Sequence, residues 1–253
     1  MSIPVYEPLN TLKKVDTNIW IIDGERINMS VGPLKVPFST RMTIIRLNDG
    51  SLWCHSPIKP TASLLSEVDQ LGEVRHLISP NKIHYAFIGE WKKHYPQATA
   101  WSSPGVEKRA RSQKISVSFD QALGEESPSI WQSEIKQLRF KGSLVVEEVV
   151  FFHKSSQTLI LTDLIENFEP KRISFFWRIV HKFARTADPD GQTPIDFRMT
   201  FMGRKKQAHQ CYQQMLAWQP EKIIIAHGRW YSTNGTAELQ RAFRWLEKGK
   251  KKN

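Results

Sequence analysis

The stretch Leu77–Trp91, LISPNKIHYAFIGEW, decides how the chain is read. Its first residues close an apolar run, VRHLI (74–78), with the length and composition of a buried strand. Ser79-Pro80-Asn81 is a turn signal. The following segment, HYAFIGEWKKHYP, is predicted to be a helix that Pro96 ends. Between strand and helix lies His84. Functional side chains gather where buried strands stop, because the strand fixes position and the loop frees the side chain.

Working outward, NIWIIDGERI (18–27) and RMTIIRLNDGSLWCHS (41–56) read as strands, and Asn48-Asp49-Gly50 between two apolar runs predicts a tight hairpin. Thr61 caps a predicted helix from Pro60 to about Leu71, ended by Gly72. ATAWSSP (98–104) is a further strand. The order helix, strand, helix, strand from Pro60 to Pro104 predicts a layered α/β arrangement.

From about Glu134 strands return. IKQLRFKGS leads into EEVVFFHKSSQTLILTDLI, two apolar runs joined by the turn formers Lys154-Ser155-Ser156-Gln157. The basic, aromatic segment RISFFWRIVHKFAR (172–185) puts Phe175, Phe176, Ile179, Val180 and Phe183 on one helical face. The Phe175, Phe176 and Trp177 run is expected in the core, with a dimer contact as the alternative. A helix over about 205–218, a buried strand in EKIIIAHGRW ending at His227, and a last helix over GTAELQRAFRWLEKGK complete the chain. No repeat or linker divides it, so one domain is predicted over residues 1–253, with a frayed basic tail from about 248.

The 253 residues can bury one large core. Thirty-six Lys and Arg against 25 Asp and Glu leave a net charge of +11, which suits phosphates, nucleic acid or an anionic membrane surface. Cys54 and Cys211 lie far apart and fit no paired metal motif, so reduced thiols in a cytoplasmic protein are expected. The N-terminus shows no secretory pattern, and no apolar run approaches the roughly 20 residues of a membrane-spanning helix.

Three apolar strands end in a residue able to bind metal: His84 after HLISPNKIH, Asp163 in TLILTD, and His227 in KIIIAHG. A fourth, SLWCHSP, delivers His55. Two imidazoles with one carboxylate suit zinc, manganese or iron, although a strand-end histidine also serves as an ordinary hydrogen-bonding residue. Lys82 could stabilise developing negative charge, and Arg41 and Arg229 could bind anions. Glu147 and Glu148 precede a strand, where an exposed charged pair is the ordinary reading and a base or ligand the sharper one.

The features DGSLWCHSPI, SPNKIHYAF, WKKHYPQA, SSQTLILTDLIENF and AHG, in that order, resemble the metallo-β-lactamase fold superfamily, and within it the DUF4336-type branch. The resemblance covers about Asn18 to Trp245. It implies an α/β fold, an αββα sandwich, with a metal-activated water at one edge of two packed sheets. Laid on the superfamily's Thr-His-x-His-x-Asp-His stretch, Ser79 matches the Thr. Pro80 and Lys82 stand at the first two histidines, His84 at the Asp and Tyr85 at the last histidine. The usual Pro-Gly-His turn is replaced by RFKGSLVVEE. Asp163 matches the bridging aspartate with Thr162 in place of its glycine, and His227 matches the late Gly-His motif with Ala226 before it.

The resemblance therefore implies one divalent ion, zinc first, on His84, Asp163 and His227 with His55 as a further ligand, or else a metal-free, hydrogen-bonded remnant. The function implied is a single-metal hydrolase of a small, anionic ester or phosphoester, with Asp163 and Lys82 as catalytic groups. The alternatives are a non-catalytic ligand-binding descendant of the fold, or a basic protein that binds nucleic acid or an anionic membrane surface. A homodimer is compatible with each.

Overall fold

Neighbouring apolar runs at the start of the chain pair with one another: β1 (Lys13–Asp16), β2 (Ile19–Val31), β3 (Leu34–Arg46) and β4 (Leu52–His55) form an antiparallel ladder. The hairpin expected at Asn48-Asp49-Gly50 joins β3 to β4. Gly50 has φ +82°, and the Asp49 carboxylate accepts the Ser51 N–H at 2.9 Å and its hydroxyl at 2.6 Å. This computed structural model describes residues 5–31 and 34–247, which fall into two compact units, 1–137 and 138–253. The basic tail from 248 lies outside the described residues.

In the first unit the ladder continues as parallel strands, β5 (Val74–Ser79), β6 (Thr99–Ser102) and β7 (Gln121–Ala122), giving a seven-stranded sheet in sequence order. Parallel neighbours require crossovers, supplied by α1 (Ala62–Asp69), α2 (Ile88–His94) and α3 (Val106–Ser112). Thr61 caps α1 as expected, its Oγ1 accepting the Leu64 N–H at 3.3 Å. The helix expected from His84 begins only at Ile88, because residues 84–87 form turns. Leu52, Cys54, Leu77, Ile88 and Trp91 meet in the core of this unit.

The second unit holds β8 (Ile135–Phe140), β9 (Glu148–His153), β10 (Thr158–Ile160), β11 (Glu166–Asn167), β12 (Lys222–Ile224) and β13 (His227–Gly228). β9 and β10 pair antiparallel across the expected turn at 154–157, and β12 lies parallel to β10. The sheet order is β12-β10-β9-β8, while β11 and β13 form a separate parallel pair. Four helices complete the unit: α4 (Phe175–Ala184), α5 (Ile195–Met199), α6 (Lys205–Ala217) and α7 (Gly235–Phe243). Its core joins Val150, Leu159 and Ile223 of the sheet to Tyr212, Met215 and Phe243 of the helices.

The expectation that the aromatic face of α4 is core is overturned. Phe175 and Phe183 are 75% and 74% exposed, and Phe176 and Ile179 are exposed as well. The helix docks through its other side. His181 is buried against Phe168, with ring centroids 4.1 Å apart, and its Nδ1 lies 2.8 Å from the Thr186 hydroxyl. At 100° per residue Phe175, Phe176, Ile179 and Phe183 all point away from His181. A periodic apolar stripe marks a face; it does not say what covers that face.

Two stability measurements follow from this packing. In the first unit His76 is buried against Trp131 and Trp101, with ring centroids 5.1 and 6.3 Å away, and burial pushes its pKa down to about 4. Below the ordinary value near 6.5 the unfolded chain takes up a proton that the folded His76 refuses. This contribution to stability is therefore complete above about pH 6.5 and lost as the pH falls toward 4, by about 1–3 kcal/mol. Denaturant titrations at pH 7 and pH 4.5 should show a smaller acid loss in His76→Gln than in the parent.

The second measurement concerns Gly228, which has φ +95°; a Cβ there would sit 2.2 Å from the Asn167 carbonyl oxygen. The β11–β13 pairing depends on that close approach, so Gly228→Ala should cost about 2 kcal/mol or more in chemical unfolding.

Candidate functional site

In the second unit the parallel register decides which strand ends meet. Ile160 of β10 is paired with Ile224 of β12, and beyond them the Leu161 N–H donates to the Ile224 carbonyl at 2.9 Å. Asp163 and His227 each lie three residues past this register pair. Their side chains meet: Asp163 Oδ1 is 3.1 Å from His227 Nε2, with His227 buried and Asp163 nearly so. Further along, Glu166 pairs with His227 and Asn167 with Gly228 in the β11–β13 ladder. The loop carrying Asp163 is thus anchored before and after it.

Glu148 supplies a third anchor. It is 1% exposed, and its two carboxylate oxygens accept the backbone N–H groups of Thr162 at 2.7 Å and Asp163 at 2.8 Å. The ordinary reading of Glu147 and Glu148 as an exposed pair is thereby corrected: Glu147 pairs with Arg139 at 2.6 Å, while Glu148 is a buried support. Burial, reinforced by the Asp163 charge, pushes the Glu148 carboxyl above the usual carboxylate range; the two N–H bonds pull the other way. Glu166 keeps a narrow opening to solvent but is closely surrounded by protein. Its desolvation raises its pKa to about 8, with the neighbouring His227 lowering it and Asp163 raising it.

In the first unit the loop after β5 is built around Asn81, a fully buried side chain. Its Oδ1 accepts the N–H groups of Ile83 at 2.8 Å and His84 at 3.0 Å, an Asx turn that holds the loop where the expected helix would have begun. The Ser79 hydroxyl donates to the Asn81 carbonyl at 3.1 Å. His84 Nδ1 is 2.8 Å from the Ser56 hydroxyl. Ser56 adopts φ +52° just past β4, and its N–H donates to Ile78 of β5 at 2.9 Å, so adjoining strand ends fix it in place.

The remaining expected site residues have different surroundings. His55 is buried and stacked on Trp53 with centroids 5.6 Å apart, and burial, with the nearby His84 as a smaller cause, pushes its pKa down to about 3. Lys82 is half-buried on the same loop as His84. Arg41 is buried, donating from Nε to Asp23 at 2.8 Å beneath the Tyr6 ring. Arg229 donates from Nε to Asp188 at 2.9 Å. Both arginines thus have carboxylate partners inside their own units, which removes the reason to read them as anion binders.

The sequence reading left out Asn81 and Ser56. A Ser-Pro-Asn turn followed by an amide three residues on was the signal for Asn81. Ser56 has no local signal, because its role depends on pairing between strands 20 residues apart.

Comparison with known proteins fits this geometry. No curated protein matches the chain. Among solved structures, the metallo-β-lactamase from Hirschia baltica superposes with a TM-score of 0.62 at 14% identity, over 98% of this chain and 100% of that one. The metallo-β-lactamase FIM-1 from Pseudomonas aeruginosa in its mono-zinc form gives 0.62 at 11% identity, over 98% of each chain. Rubredoxin oxygen:oxidoreductase from Desulfovibrio gigas gives 0.61 at 11% identity, over 93% of this chain and 61% of that one. At these identities the likeness is one of fold, and the fold is α/β, an αββα sandwich of metallo-β-lactamase type. The family model described as "Domain of unknown function (DUF4336)" matches residues 16–179, well over half of the chain, and the chain belongs to that family.

Proposed function

We propose that the chain is a divergent metal-dependent hydrolase acting on a small, anionic ester or phosphoester, with one divalent cation, zinc first, held by His84, Asp163 and His227. The observation that carries this reading is the Asp163–His227 pair, two donor groups 3.1 Å apart at adjoining parallel strand ends above a buried carboxylate.

The donor set fits such an ion. Two imidazoles and one carboxylate leave the fourth tetrahedral position open, the arrangement of catalytic rather than structural zinc. The supports fit as well. Ser56 engages His84 Nδ1, which selects Nε2 as the metal-facing nitrogen, and Glu148 fixes the backbone of Asp163. When bound, the cation lowers the pKa of a water to roughly 7 and polarises the substrate oxygen. Asp163 would hold the cation and orient that water. Lys82 offers a positive charge to the negative charge that develops on the substrate. The stacking of His55 on Trp53 favours a packing role for it over that of a fourth ligand.

A second reading, a non-catalytic ligand-binding descendant of the fold, has its own support. Pro80 and Lys82 occupy positions where the superfamily carries histidines, and Asn81 holds the loop by hydrogen bonds that need no metal.

Elemental analysis of protein prepared without an affinity tag separates the two. About one equivalent of zinc, manganese or iron is expected in the parent and none in the double variant Asp163→Ala, His227→Ala. Hydrolysis of nitrophenyl esters or phosphoesters should then depend on the metal and vanish with a chelator. Two folded proteins that both lack metal would leave the ligand-binding reading. A further prediction isolates the support: Glu148→Gln keeps one acceptor oxygen for two N–H groups. It should weaken metal binding about 10–100-fold and lower stability by about 1–3 kcal/mol, read by competition with a chromophoric chelator and by denaturant unfolding.

A further inference from the structure

The exposed face of α4 belongs to a larger surface within the second unit. Phe175, Phe176, Ile179 and Phe183 project from one side of the helix, and α4 packs beside α5, whose last residue Met199 is 63% exposed and is followed by Met202, 65% exposed. The loop after β8 joins them: the Leu144 N–H donates to the Thr200 carbonyl at 2.9 Å, and the Ser143 and Thr200 hydroxyls are 2.7 Å apart, which leaves Leu144 62% exposed beside the methionines. Three separate segments thus place large apolar side chains in water. Contiguous exposure of this kind on a soluble surface marks an interaction site.

Its charge identifies the occupant. Residues 171–206 carry nine Lys and Arg against three Asp, so about half of the net +11 lies in this one stretch. Lys171, Lys182, Arg185, Arg204, Lys205 and Lys206 are all exposed. No helix among the described residues is long and apolar enough to cross a membrane. A short helix with protruding phenylalanines on one face and cations around it is built to lie in a lipid headgroup layer, its rings among the acyl chains and its cations among anionic headgroups. A second copy of the chain would bring two strongly basic surfaces face to face. A nucleic acid would find cations and phenylalanine rings to stack on, but it would leave Ile179, Met199, Met202 and Leu144 in contact with water.

We propose that the α4–α5 surface binds the chain peripherally to anionic lipid bilayers, inserting Phe175 and Phe183. This assignment is independent of the metal site and stands or falls apart from it.

The test is co-sedimentation of the full chain with vesicles of equal parts phosphatidylcholine and phosphatidylserine, beside vesicles of phosphatidylcholine alone. Binding to the anionic vesicles is expected to weaken with salt. It should fall about tenfold or more in the double variant Phe175→Ser, Phe183→Ser, and several-fold in Lys182→Glu. Each substituted side chain is exposed, so thermal unfolding serves as the control for intact folding. Absence of binding to the anionic vesicles at low salt, or binding indifferent to the phenylalanine substitutions, overturns the proposal. So does a dimer in sedimentation equilibrium that these substitutions dissociate without any vesicle binding, or capture of single-stranded RNA with none.

Discussion

The parallel pairing of β10 with β12 is the constraint on which the second unit's site depends. Neither strand has a chemical function of its own; each is three residues long. Their register, Ile160 against Ile224, nevertheless determines which later residues become neighbours. With Leu161 still bonded to Ile224, and Glu166 and Asn167 paired to His227 and Gly228, the two chains leave the sheet together. A slip of one residue would turn every side chain to the opposite face and part Asp163 from His227. The close contact of Gly228 with Asn167 locks the slip out, which gives the glycine after His227 a physical reason independent of any chemistry.

The same logic explains how the first unit holds its strand-end loop without a cluster of histidines there. A histidine that binds metal also fixes its loop. Where Pro80 and Lys82 stand instead, Asn81 fixes the loop by accepting two backbone N–H groups, and it is fully buried while doing so. Proline narrows the backbone choices at the turn further. Local hydrogen bonding thus holds the loop, and Ser56 orients the His84 ring.

These comparisons show what was legible in the sequence. Strand order, the Asn-Asp-Gly hairpin, the Thr61 cap and the 154–157 turn were legible because each is set by residues within a few positions of one another. His84, Asp163 and His227 were legible as polar residues following apolar runs for the same reason. Two kinds of feature were not. Glu148 looked like an exposed strand-edge charge because its partners, the N–H groups of Thr162 and Asp163, arrive from another strand. The aromatic helix looked like core because hydrophobic periodicity reports a face and is silent about its partner; only the seating of His181 against Phe168 shows that the helix is turned outward.

The polar site and the apolar surface also differ in what they ask of the fold. Around Asp163 the supports described are hydrogen bonds and strand pairings completed by the chain itself, so the arrangement is held within the fold. The outward face of α4 is the opposite case. Its phenylalanines contribute nothing to the core, and each keeps apolar area in contact with water at roughly 25 cal/mol per Å². Sequence drift has no folding penalty for removing such side chains. Four on one helix, continued by others on α5 and the loop after β8 and surrounded by cations, therefore require an explanation outside the folded chain.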